Sequence, residues 1–160
     1  MLAHTKYFSA RVSAPADKVK RQTYIEAIET LNDTSLFFGQ YQMTARACRN
    51  CGYVYDVPQE KMTDVHIAVE LLQDAFQDAF DTALLISADS ELIAPLRAVK
   101  RLFPEKRIIV ACPPGRFSVN LCKAASAYFQ IDRIPIARSQ FPEGVRKASG
   151  FVLRRPAEWK

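Results

Sequence analysis

Two carboxylates stand two positions apart where an apolar run ends. In "LLISADSE", residues 84–91, Asp89 and Glu91 follow directly on apolar and small residues. Neighbouring carboxylates repel one another, and a divalent cation is the usual compensation where no Arg or Lys adjoins them. A third acid, Asp64, opens the segment "DVHIAVELLQDAFQDAF", where a helix dipole would favour it by roughly 0.3–1 kcal/mol. If the three meet at one rim, Mg²⁺ or Mn²⁺ is the fitting metal, because both take oxygen ligands and retain several waters. A cation so held activates water and stabilises the charge of a phosphodiester transition state. The plainer reading has Asp89 and Ser90 capping a helix that starts near Glu91, with Asp64 a dipole-favoured surface residue. Spacing does not choose between the two.

A second constellation is "CRNCG", which sets Cys48 and Cys51 at the spacing of half a zinc knuckle, with a Gly suited to the turn. Two more ligands are needed for Zn²⁺, from this chain or from a second one in a homodimer, and a zinc site is one reading of the pair. Unliganded thiols or a redox pair are the competing readings. Cys112 ends an apolar run and Cys122 falls in a helical pattern, which makes both core thiols. Tyr41, Tyr53 and Tyr55 interleave with Arg46 and Arg49 as in single-strand nucleic-acid platforms, or pack the loop onto the body. In "PPGRFS", Arg116 beside Gly115 is a candidate phosphate contact, against the reading of an ordinary turn.

The elements that position these residues follow from periodicity. Strands are expected at 6–12, 35–43, 82–87, 106–112 and 128–131, and helices at 16–31, 64–80, 91–103 and 119–128. The apolar face of the 64–80 helix is assigned to Val65, Ala68, Val69, Leu72, Phe76 and Phe80, with Thr63 as its cap and His66 outward. "TALLIS" reads as a strand covered on both faces. Residues 44–60 show no period and read as a loop. The alternation predicts an α/β fold with a mostly parallel sheet and helices on both faces, whose ligands bind beyond the carboxyl ends of the strands.

A chain of 160 residues suits one core. Residues 1–132 are read as the domain and 133–160 as a basic tail, whose seven Lys or Arg against two Glu carry the whole net charge of +5. That tail is either a phosphate-binding surface or a solvated terminus. No apolar run approaches the roughly 20 residues that cross a bilayer, and the first residues lack a secretory apolar segment. A soluble, cytoplasmic protein with no membrane partner is expected, and four cysteines are too few for a disulfide framework.

The run "EKMTDVHIAVELLQDAFQDAFDTALLISADSELIAPLRAVKRLFPEKRIIVACPP" resembles the central segment of the NYN domain family, the LabA-like branch of the PIN-like nucleases, which reads EKxxDV, a helix, then DxAxLxSGDSDF. In looser form the likeness extends from about Lys6 to "RRPAEW". It implies a Rossmann-like three-layer sandwich and metal-dependent endonuclease action on RNA, expected to be single-stranded. Asp64 matches the helix-start acid, Asp89 and Glu91 the two acids of SGDSD, Lys61 the lysine of EK, and Ser87 and Ser90 the flanking serines. By this likeness Lys61, Ser87 and Ser90 join Arg116 as substrate contacts, and Asp64, Asp89 and Glu91 hold the metal.

The departures carry expectations too. The family's opening strand with its VDGxN acid has no counterpart, a late acid is replaced by Ser126, and Ala88 stands for the Gly of SGDSD. Loss of a central strand would bring other strands together or leave edges open to another chain. Fewer acids imply weaker metal binding and reduced activity, and so a second class of function, a non-catalytic RNA-binding or scaffolding domain.

Overall fold

A computed structural model describes residues 4–10, 15–157 and 159. The chain divides into two compact units, Met1–Thr63 with Phe141–Lys160, and Asp64–Gln140.

In the first unit, strand β1 (Thr5–Ala10) runs parallel to the first half of β2 (Thr34–Ala47), with Phe8 stacked on Phe37 at 5.0 Å. Helix α1 (Pro15–Ile28) starts at its proline, the residue whose fixed φ and missing N–H suit a first turn. It buries Ile25, Ala27 and Ile28 and ends three residues short of the predicted Leu31, which is exposed. The predicted extension of β1 through Arg11 and Val12 lies outside the described residues.

The second half of β2 pairs antiparallel with β3 (Val54–Lys61), from Gln40 opposite Lys61 to Ala47 opposite Val54. This corrects the reading of 44–60 as a loop. An antiparallel ribbon exposed on both faces has no apolar side to generate a period of two, and backbone pairing alone defines it.

The C-terminal segment also holds regular structure, so "YFQI" is not the last strand. After α5 (Arg133–Arg138), strands β7 (Gly144–Arg146) and β8 (Val152–Arg154) form an antiparallel pair. Leu153 is buried, Phe141 and Trp159 meet the ring of Tyr24 edge-on, and Lys147 Nζ lies 2.9 Å from Glu26 Oε2.

In the second unit, β4 (Thr82–Ile86), β5 (Arg107–Cys112) and β6 (Ala127–Gln130) form a parallel sheet in that order. Helices α2 (Thr63–Phe76), α3 (Ile93–Leu102) and α4 (Val119–Ala124) accompany it. The core is Leu92, Leu96, Val99, Ile108, Val110, Cys112 and Leu121, each 0–1 % exposed, with Ile67, Leu71, Leu72 and Ala75 of α2 packed on it. The buried stripe of α2 is therefore rotated from the predicted one: Val65, Val69 and Phe76 are exposed, and His66 is partly buried with Nδ1 lacking a hydrogen-bond partner. The helix also stops at Phe76, because Asp78 takes φ 56° and turns the chain.

Strand β4 is covered on one face only, a second correction. Leu84 and Ile86 are 50 % and 62 % exposed while Ala83 and Leu85 face inward. A continuous apolar run gives burial on both faces only in a central strand, and β4 stands at one edge of its sheet.

Lys106, 4 % exposed, places Nζ 2.8 Å from the Phe80 carbonyl and 2.5 Å from Asp78 Oδ1. Its ammonium holds the Asp78 carboxyl below the usual carboxylate range, as hydrogen bonds from Lys147 and then Gln22 do for Glu26. A carboxylate whose pKa is lower in the folded chain stabilises it above the ordinary range, near roughly pH 4, and loses that contribution as pH falls through the lowered value. The melting temperature is thus expected to fall on acidification below about pH 5, and Glu26→Gln should flatten that fall. Among the described residues no helix is long and apolar enough to cross a membrane.

Candidate functional site

The carboxyl ends of β4 and β5 open into a cleft of about 580 Å³, lined by Asp64, Ile86, Ser87, Ala88, Asp89, Pro113, Gly115, Arg116 and Phe117. Each lining group has a local cause. Asp64 is in the first turn of α2, to which the chain turns through Met62 in the left-handed conformation (φ 76°). Asp89 is held by two local bonds: its backbone N–H donates to Ser87 Oγ at 3.0 Å, and its Oδ1 accepts from the Glu91 N–H at 2.9 Å. It caps the short 3₁₀ turn Ser90–Leu92, so the capping role is real, and it uses one carboxylate oxygen of two. Gly115 takes φ +73°, the conformation that lets the "PPGRFS" turn swing Arg116 and Phe117 outward.

The structure thus brings Asp64, Asp89, Ser87 and Arg116 to one cleft. Glu91 does not line it. Ser90 and Glu91 sit exposed in the 3₁₀ turn, and Lys61 is exposed at the end of β3. Ser126, at the position of the family's late acid, accepts from the Ile108 N–H through Oγ and donates its own N–H to the Ile108 carbonyl. It ties β5 to the segment that follows α4. Among the described residues no group of three His, Cys, Asp or Glu side chains is placed to hold a metal ion.

Phe117 was not legible as a site residue. It lines the cleft, is half exposed, and meets the ring of Tyr128 edge-on at 5.9 Å. The signal available was its place in the loop after a buried strand, where parallel sheets bind ligands.

The cysteines separate into two pairs. Cys112 and Cys122 are buried with sulfurs 3.6 Å apart, and burial pushes the Cys122 thiol up. Cys48 and Cys51 lie at the β2–β3 turn, where the backbone N–H groups of Asn50 and Cys51 pull the Cys48 thiol down.

The NYN domain model matches residues 9–132. The chain belongs to the NYN domain family. This NYN domain is similar in fold to the crystal structure of a protein of unknown function, VPA0982, from Vibrio parahaemolyticus RIMD 2210633. The TM-score is 0.54 at 17 % identity, over 81 % of this chain and 69 % of that one. Among curated proteins, none matches. Membership places the chain among nuclease-like domains.

Proposed function

We propose that this NYN domain is a divalent-metal-dependent endoribonuclease acting on single-stranded RNA, in a PIN-like sandwich of the Rossmann-like class. The observation that carries the reading is the meeting of Asp64 and Asp89 in one cleft at the carboxyl ends of parallel strands. The donor set fits Mg²⁺ or Mn²⁺: two carboxylates and the Ser87 hydroxyl are hard oxygen donors in an open cleft that admits water. Asp64, Asp89 and Ser87 would hold the ion. Once bound, it supplies a polarised water and charge neutralisation at the phosphate.

The chain's own groups bind and orient the substrate. Arg116 offers planar guanidinium donors to a phosphate oxygen. Phe117, braced by Tyr128, presents a ring on which an unpaired base stacks, an interaction worth about 1–3 kcal/mol. Without a cation the two carboxylates repel the phosphate, so RNA held in this cleft is expected to leave in chelator. Lys61 and the exposed Arg133, Arg138, Arg146 and Arg154 add phosphate contacts outside the chemistry.

End-labelled single-stranded RNA incubated with Mn²⁺, with Mg²⁺ and with chelator tests the reading: internal cleavage is expected with metal and not in chelator. Arg116→Ala should weaken binding about tenfold and lower the slope of log affinity against log salt by roughly 0.7, the contribution of one single-strand phosphate. The absence of Glu91 from the cleft and the engagement of Ser126 with the backbone favour a second reading, an RNA binder without chemistry. Undiminished affinity in chelator with no cleavage would establish that reading and exclude the first.

A further inference from the structure

The turn joining β2 and β3 carries Cys48 and Cys51 at metal-ligand spacing. The Cys48 N–H donates to the Tyr53 carbonyl at 2.8 Å and the Gly52 N–H to the Cys48 carbonyl at 3.0 Å. Gly52 takes φ +71°, a conformation that L side chains rarely adopt. This path folds the backbone around one sulfur. Hydrogen bonding from the backbone N–H groups of Asn50 and Cys51 holds the Cys48 thiol below its ordinary range. Two cysteines at this spacing on a hydrogen-bonded turn, with a left-handed Gly directly after the second, match one arm of a tetrahedral thiolate centre.

The described residues of one chain do not complete it. Zn²⁺ in a structural site takes four ligands, and no third His, Cys, Asp or Glu among the described residues joins the pair. We propose that two copies of this chain share one Zn²⁺, each contributing Cys48 and Cys51 at the tip of its β2–β3 ribbon.

Charge and exposure both select a second copy as the source of the missing ligands. A Zn²⁺ held by two thiolates is neutral, whereas four thiolates leave a dianion. Each ribbon sets the exposed Arg46 and Arg49 beside its cysteines, so a paired site brings four guanidinium groups to a doubly negative centre. The ribbon itself lacks cover. Met43, Tyr53, Val54 and Tyr55 are 46–69 % exposed, and Tyr53 and Tyr55 stack at 6.4 Å on open surface. A two-stranded ribbon is marginal in water by itself, and a metal clip with a second ribbon against these rings supplies what it lacks.

The site is independent of the cleft, and its test uses binding and mass in place of cleavage. The full chain, reduced, freed of metal and then held in a large excess of Mg²⁺ that fills the cleft, is titrated with Zn²⁺ and, in parallel, with Co²⁺. Binding should saturate at one metal per two chains, Co²⁺ should show the intense charge-transfer and visible bands of four thiolates, and sedimentation should move from monomer to dimer. Chelator should return the unaltered chain to monomer, which answers any concern that a variant misfolds. Cys48→Ser and Cys51→Ser should each lose metal and dimer together. Cys122→Ala and Asp89→Asn should keep both, which separates this site from the buried thiols and from the metal centre of the cleft. Saturation at one metal per chain, binding without a change in mass, no Zn²⁺ binding, or a dimer that persists in Cys48→Ser would overturn the proposal.

Discussion

Asp89→Asn is expected to slow Mn²⁺-dependent cleavage of single-stranded RNA by about 10²–10³-fold, equivalent to about 3–4 kcal/mol of transition-state stabilisation. The substitution divides the two roles that the sequence left entangled. Asn caps a helical turn about as well as Asp, so the bond that Oδ1 accepts from the Glu91 N–H survives through the amide oxygen. What is lost is the anionic oxygen that a cation requires. The unfolding midpoint should therefore stay within about 0.5 kcal/mol of the parent while the rate collapses. Asp89→Ala removes cap and ligand together and should add about 1 kcal/mol of destabilisation to the same rate loss. A variant as fast as the parent would return Asp89 to the capping role alone. Single-turnover rates at saturating Mn²⁺, beside urea unfolding curves, give both numbers.

Gly39→Ala should destabilise the first unit by about 2–3 kcal/mol, at the upper end for overpacking by one methyl group. Gly39 ends the parallel pairing of β2 with β1, and the antiparallel pairing with β3 begins at the next residue. A Cβ there would lie 2.4 Å from the Lys61 carbonyl oxygen, 2.9 Å from Thr63 Oγ1 and 3.2 Å from the Thr63 N–H nitrogen. Two of the three are main-chain atoms and cannot rotate away. The adjoining Met62 already holds φ 76°, so the turn from β3 into α2 has little freedom to absorb the shift. Urea unfolding of the parent and Gly39→Ala should show a lower midpoint at constant slope, the mark of altered stability in place of altered compactness.

The strand-and-helix alternation from Thr82 to Gln130 was legible because each element there has its own apolar signature. Continuous runs at 82–86 and 107–112, and spaced leucines and valines in α3, lead directly to the parallel β4–β5–β6 sheet. Three features were not legible, each for a physical reason. The β2–β3 ribbon is exposed on both faces, so nothing in its composition alternates. Counting Val65, Val69 and Phe76 as core misplaces the buried stripe of α2, because a helix whose apolar residues exceed one face does not say which ones are buried. The edge position of β4 depends on what pairs with it, which no local pattern encodes.

The site was legible in the same uneven way. Asp64 and Asp89 come from elements with strong signals, an apolar-striped helix and the end of an apolar strand, and they reach one cleft. Glu91 follows Asp89 by two positions, which in a strand would place both on one face. The chain instead turns into a 3₁₀ segment at Ser90, and Glu91 leaves the lining. Phe117 needed the fold, since its partner Tyr128 belongs to β6.

The central claim is that Asp64 and Asp89 act as one cation site, and Mn²⁺ affinity measured across Asp64→Asn, Asp89→Asn and the double variant tests it most directly. The account predicts that either single change weakens Mn²⁺ binding and that the double variant is little weaker than the singles, the non-additivity of groups sharing one ligand. A double variant that binds Mn²⁺ as tightly as the parent chain would contradict it.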